Sequence, residues 1–164
     1  MKANDTKESY STRERFIIWL FYFSKEAYRK TIKRTQPKWK LSMPILENMQ
    51  EGTLGKDLYL FLNDHNFKLE PKYERHDVYH VLTGYAPSVQ GEICLAMFNV
   101  GNGKRSLYTG GVALIGAVLL LEQYSEFRKA YVRGKQAERY IDWDFENLIN
   151  EKTVHLKRKL FGCK

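Results

Sequence analysis

Apolar residues recur along this chain at i, i+3, i+4 and i+7, the period of helices that bury one face. Leu54, Leu58, Phe61 and Leu62 form one such stripe behind Thr53, whose hydroxyl is placed to cap the helix. Val78, Val81, Leu82 and Tyr85 form another, broken by Gly84, and Pro87 opens a helix carrying Val89, Ile93, Ala96, Met97 and Val100. After a Gly-Asn-Gly-Lys turn, one long helix is predicted over about 107–133. Its segment 110–121 is almost wholly apolar and reads as a buried central helix. The small residues Gly110, Ala113, Gly116 and Ala117 would allow neighbours to approach closely, or leave room for an apolar ligand. Asp142 or Asp144 is expected to cap a last helix that turns Phe145, Leu148, Ile149, Leu156 and Leu160 inward. No segment shows a convincing strand period, so the fold class is all-α, a single-domain helical bundle.

The first 40 residues differ in character from residues 41–164. A helix is expected from Ser11 or Thr12 to about Arg34, with a dense aromatic and aliphatic block at 16–23 followed by Lys25, Arg29, Lys30, Lys33 and Arg34. That block is far short of the ~20 residues that span a bilayer. It suits a helix lying in a membrane interface, or one packed on the core with a basic outer face. Asp5 and Glu8 argue against a secretory signal or a transit peptide. The expected location is cytoplasmic, peripheral on the inner membrane.

Charge adds a partner class. The 164 residues carry a formal net charge of +8, which favours an acidic partner. The basic residues do not interleave with a nucleic-acid motif, so nucleic acid is disfavoured against a solvated face, anionic lipid or a phosphorylated ligand. Within the basic stretch 128–139, Arg133, Lys135 and Arg139 are the candidate anion or lipid contacts. Cys94 and Cys163 are the two cysteines, too few for a zinc knuckle and in keeping with a reducing compartment.

The densest chemistry lies in Arg75-His76-Asp77-Val78-Tyr79-His80 and in Gly91-Glu92. On a helix, His76 and His80 stand one turn apart and about 40° from each other, with Asp77 on the same flank. Glu92 falls at the edge of the following apolar stripe, where a carboxylate is partly desolvated and needs a cation. A helical hairpin that presents His76, Asp77, His80 and Glu92 to one divalent ion meets that need. Imidazole with carboxylate suits zinc, iron or manganese rather than calcium. The competing reading is two ordinary histidines, with Glu92 paired to Arg75 or a lysine.

With these residues in order, the chain resembles the ubiquinone (coenzyme Q) biosynthesis protein 4 family. Glu51-Gly52-Thr53-Leu54-Gly55 is similar to an early family block, and His76-Asp77-Val78-Tyr79-His80, eleven residues, then Glu92 reproduces its signature. Leu82-Thr83-Gly84, Gly91-Glu92-Ile93, Arg133-Gly134, Ala137 and Asp142-Trp143 also fit, so the likeness covers about 40–162. The resemblance implies zinc at His76, Asp77, His80 and Glu92, with iron or manganese as alternatives. It implies work on a polyprenylated quinone head group, read in the family either as oxidative decarboxylation at C1 or as a scaffold for the other biosynthetic enzymes. The implied partners are a polyprenylated aromatic or quinone lipid, other quinone biosynthesis enzymes, the membrane surface and a second copy of the chain. Three functions therefore compete: a metal-dependent decarboxylase of a prenylated hydroxybenzoate, a non-enzymatic lipid-binding scaffold, and an HD-type phosphohydrolase drawing on His65 and on Asp142 or Asp144.

Overall fold

Thr53 caps the first long helix as its position requires, its hydroxyl accepting from the Lys56 amide at 3.4 Å. In the computed structural model, which describes residues 39–162 together with Thr12, Arg15 and Trp19, the chain is helical throughout. Among the described residues the helices are α1 (Met43–Glu47), α2 (Leu54–Asp64), α3 (Glu74–Thr83), α4 (Val89–Gly101), α5 (Leu107–Leu119), α6 (Tyr124–Gln136) and α7 (Thr153–Phe161). The all-α expectation holds. The expected N-terminal helix and its interfacial role lie outside the described residues, those three positions apart.

Two apolar clusters share α4. Leu95 and Phe98 face Leu54, Leu58, Val78, Leu82 and Tyr140, while Ile93 and Cys94 face Ala117, Leu120 and Phe127. The central helix is thus α4 and not the segment 110–121. In α5 only Thr109, Ala113, Gly116 and Ala117 are buried, and its large side chains Leu107, Leu114 and Val118 are exposed.

The single long helix predicted over 107–133 is also broken. A short 3-10 turn, Leu121–Gln123, separates α5 from α6, and the axes bend by 102°. No glycine or proline marks the break. Leu120 and Phe127, on either side of it, both pack in one cluster with Ile93 and Cys94 of α4. No single described helix is long and apolar enough to cross a membrane.

The last helix starts later than its apolar pattern suggests. Phe145 and Ile149 are buried as expected, but residues 141–152 run through turns and α7 begins at Thr153. Carbonyls of this stretch are committed elsewhere. Those of Ile149 and Glu151 accept the amides of Gly55 and Leu54, both at 2.8 Å, beside an isolated Thr53–Lys152 bridge. The Arg75 guanidinium donates to the carbonyls of Ile141 and Trp143 at 2.7 and 3.0 Å. Backbone acceptors spent this way are unavailable to a helical ladder.

Candidate metal centre

The site is built at the joint between α3 and α4. Gly84 follows α3 in the left-handed region at φ 78°, its amide donating to the His80 carbonyl. This is the usual place for glycine at a helix end. The reversal brings the Tyr85 carbonyl back over the helix, 2.8 Å from His80 Nδ1. At the other side of the joint, Ser88 caps α4 by accepting from the Gly91 amide at 3.2 Å. A Cβ at Gly91 would collide with the Ala86 carbonyl, so glycine there is what lets the loop pack against the first turn of α4. Glu92 is the next residue.

The outcome is a tight triangle. His80 Nε2 lies 3.2 Å from His76 Nε2 and 3.3 Å from Glu92 Oε1, and His76 Nε2 lies 3.3 Å from Glu92 Oε2. His80 has its side chain almost wholly buried, while His76 and Glu92 keep 38% and 27% exposure and form the solvent side. The Phe61 ring stacks on the His80 imidazole at 5.4 Å, fixing its plane.

Proton accounting explains why this triangle wants a cation. A carbonyl only accepts, so His80 Nδ1 carries its hydrogen towards Tyr85 and neutral His80 presents a bare Nε2 to the cluster. That lone pair, the Glu92 carboxylate and His76 Nε2 then face one another, and one proton can serve only one contact at a time. A divalent ion serves all three. With one donor atom from each residue, the three lie within 4.8 Å of one another, close enough to share one ion such as zinc. The Tyr85 carbonyl is the kind of outer partner that fixes the tautomer of a ligating histidine. Histidine and carboxylate donors also accommodate iron and manganese.

The electrostatics agree. Burial pushes the Glu92 carboxyl up, but the charges and hydrogen bonds of His76 and His80 outweigh it and hold Glu92 well below the ordinary carboxylate range. Burial works to lower His80, yet its contacts with Glu92, the Tyr85 carbonyl and the charge of Asp77 leave it raised. Desolvation dominates at His76 and lowers it.

Asp77, the fourth predicted ligand, lies outside the triangle and acts on His80 through its charge. His80 sits deeper than a polar flank would suggest, and Tyr79 packs on Tyr140 at 4.8 Å in the core. Arg133 is turned inward. It donates to the Thr83 carbonyl at 2.8 Å and lies over the rings of Tyr85, Phe98 and Phe161, so it braces the end of α3. Lys135 and Arg139 are at the surface, Lys135 over the Tyr131 ring and Arg139 paired with Asp142.

The histidine and aspartates needed for an HD-type phosphohydrolase do not reach the cluster. His65 Nδ1 is 2.8 Å from the Phe61 carbonyl, Asp142 is paired with Arg139, and Asp144 accepts from Asn147. Cys94 is buried and its thiol is pushed up to about 11 by burial, with a smaller push from Glu126, which makes it a poor ligand.

An open cleft of about 440 Å³ adjoins the buried side of the triangle. His80, Phe61, Tyr85 and Pro87 line it, with Asp57, His65 and Lys157 as its polar groups. Sequence reasoning did not single out Asp57 or Lys157, and considered His65 only for the HD-type reading. They come from α2, its C-cap and α7, and no local pattern links those segments.

Comparison with known proteins bears on this arrangement. A protein from Nostoc punctiforme PCC 73102, provisionally described as a ubiquinone biosynthesis protein, has a crystal structure that superposes with a TM-score of 0.63. The two are 18% identical over 92% of this chain and 81% of the other, a likeness that shows a common fold. No curated protein matches the sequence. The family model for coenzyme Q (ubiquinone) biosynthesis protein Coq4 matches residues 69–161. That span takes in α3, α4 and all three converging side chains, covers more than half of the sequence, and makes this chain a member of the Coq4 family of ubiquinone biosynthesis.

Proposed function

We propose that this chain is a metal-dependent protein acting on the head group of a polyprenylated aromatic acid, removing the carboxylate at C1 of the ring. The convergence of His76, His80 and Glu92 beside a ring-sized cleft is the observation that supports it. These three would hold the metal, with Asp77 as a fourth ligand on the strength of the family signature. When bound, a divalent ion supplies Lewis acidity towards a phenolate or carboxylate and, as iron or manganese, one-electron chemistry as well.

The chain's own groups prepare the site. Tyr85 holds the His80 tautomer through its carbonyl, and Phe61 stiffens the imidazole plane. In the cleft, Phe61 and Tyr85 offer aromatic walls to a ring, and the Lys157 ammonium at the rim is a counter-charge for its carboxylate. The cleft is open, so the isoprenoid tail need not enter it.

The test is purified protein assayed for metal and extracted for lipid, then supplied with prenylated 4-hydroxybenzoate. Stoichiometric metal and release of carbon dioxide that Glu92→Gln abolishes are expected. Full complementation of a quinone-deficient strain by Glu92→Gln would overturn the reading. Retained lipid with inert zinc and no turnover would favour the scaffold.

A further inference from the structure

We infer that Arg133 is a positioning residue of the metal centre. From α6 it holds the reversal at Thr83, Gly84 and Tyr85, so that the Tyr85 carbonyl keeps His80 Nε2 turned towards the ion. The inference rests on the site reading above and adds to it a residue from another helix. Arg133 is half-buried, and among the described residues no carboxylate pairs with it. A cation taken partly out of water is costly unless something polar meets it. Here it is met by the Thr83 carbonyl, 2.8 Å from Nη1, and by the faces of three rings, Tyr85 at 5.3 Å, Phe98 at 5.6 Å and Phe161 at 4.2 Å.

Gly134 is what brings the guanidinium this far in. A Cβ there would collide with the Phe98 carbonyl, and one at Gly101 with the Tyr131 carbonyl, so α6 lies backbone against backbone on α4. Asn102, just after α4, donates to the Gly134 carbonyl at 3.2 Å and ties the end of α6 in place. Arg133 therefore starts from a rigid seam, and its side chain reaches from there to the end of α3.

Thr83 is the last residue of α3, and its carbonyl is one of those a helix leaves without an internal partner. A cation at that end also meets the negative pole of the helix dipole. Gly84 and Tyr85 follow directly. Fixing the Thr83 peptide fixes where the left-handed turn at Gly84 sends the chain, and the same guanidinium grips the Tyr85 ring beyond it. Burial pushes the Tyr85 hydroxyl up, and hydrogen bonding and charge from Arg133 oppose that rise. With both ends of the turn held, the Tyr85 carbonyl stays 2.8 Å from His80 Nδ1. Without that acceptor the imidazole is free to carry its proton on Nε2, the atom that faces Glu92. A protonated Nε2 has no lone pair for a metal. A hydrophobic side chain of similar length at 133 would fill the space and donate nothing, so packing and positioning separate by substitution.

The test uses the full chain, with zinc as the probe. Zinc affinity by chelator competition should fall about 10–100-fold in Arg133→Met, the range for losing an outer partner of a ligating histidine. Arg133→Lys keeps the charge without the planar fork and should fall by a smaller factor; it carries the test if Arg133→Met does not fold. Phe161→Leu thins the packing under the guanidinium and should leave affinity unchanged. In metal-free protein at alkaline pH, nitrogen NMR should find His80 protonated on Nδ1 in the wild type and shifted towards Nε2 in the position 133 variants. An unchanged tautomer would overturn the proposal, as would equal loss of affinity in Phe161→Leu, which would mean lost packing alone. Zinc bound as tightly by every folded variant at 133 as by the wild type would bring down this inference and leave the site reading standing. A wild type that binds no zinc would bring down both.

Discussion

Helices α4 and α5 have the same length, thirteen residues each, and both are rich in apolar side chains, yet one is the centre of the molecule and the other lies on its outside. The more apolar of the two is the exposed one. α5 has no charged residue, whereas α4 carries Glu92 and Asn99 and is followed by Asn102. Each of these polar groups has a destination. Glu92 meets two histidines, Asn99 accepts from the Tyr140 hydroxyl at 2.7 Å, and Asn102 donates to the Gly134, Ala137 and Glu138 carbonyls. Buried polar groups persist only where partners are fixed. In this chain, bonded polar residues therefore mark the centre better than hydrophobicity does.

The contrast is broken most directly by truncation. Phe98→Ala in α4 should cost about 3–5 kcal/mol, the range for a fully buried aromatic, whereas Val118→Ala in α5 should stay within about 0.5 kcal/mol. Urea unfolding of dilute protein measures both, and equal losses would mean that Val118 is as deeply packed in the folded chain as Phe98.

The polar destinations of α4 can be removed one at a time. His80→Ala should leave metal at background by elemental analysis with helix content retained by circular dichroism. Glu92→Gln should weaken binding less. Asp77→Asn should cost about 10–100-fold in metal affinity.

Glycine substitutions sharpen the comparison within α5. Gly116→Ala should destabilise by about 1–3 kcal/mol through the clash with Ile93. Gly111→Ala should stabilise the monomer by up to about 1 kcal/mol, because it has space and gains helix propensity. Thermal unfolding with opposite shifts is the expected readout.

The smallest effect is on pH dependence. Glu92, lowered in the fold, stabilises above its ordinary value near ~4.3, and this contribution fades as pH falls below it. His80, raised, stabilises below ~6.5, and that contribution is lost as pH rises through its folded value. His76, lowered, works against the fold below ~6.5 and is silent above. Above ~6.5, then, only His80 acts. Metal-free protein should lose stability as pH rises from there, Glu92→Gln should flatten that slope, and bound metal should reverse it, because the ligands must be unprotonated. Melting curves with and without chelator decide this.

Much of the site was legible in the sequence because its parts are local. His76 and His80 are neighbours by helix period, Gly84 ends their helix, and Glu92 at a stripe edge announces a carboxylate in need of a cation. The place of Asp77 was not legible, since lying on the same flank says little about whether a side chain reaches the same point. Lys157, His65 and Asp57 at the cleft could not be inferred, as their segments meet only through the fold.

By itself the sequence determined the helical class, the cap at Thr53 and the histidine pair, because each rests on contacts within a few residues. Tertiary structure decided which apolar helix lies inside, where the 107–133 segment breaks, and that residues 141–152 give up a helix. Those outcomes turn on rivals far apart in the chain. Ala117, Leu120 and Phe127 pack with Ile93 and Cys94 of α4, and the Ile149 and Glu151 carbonyls accept from the amides that open α2 instead of from a helix of their own.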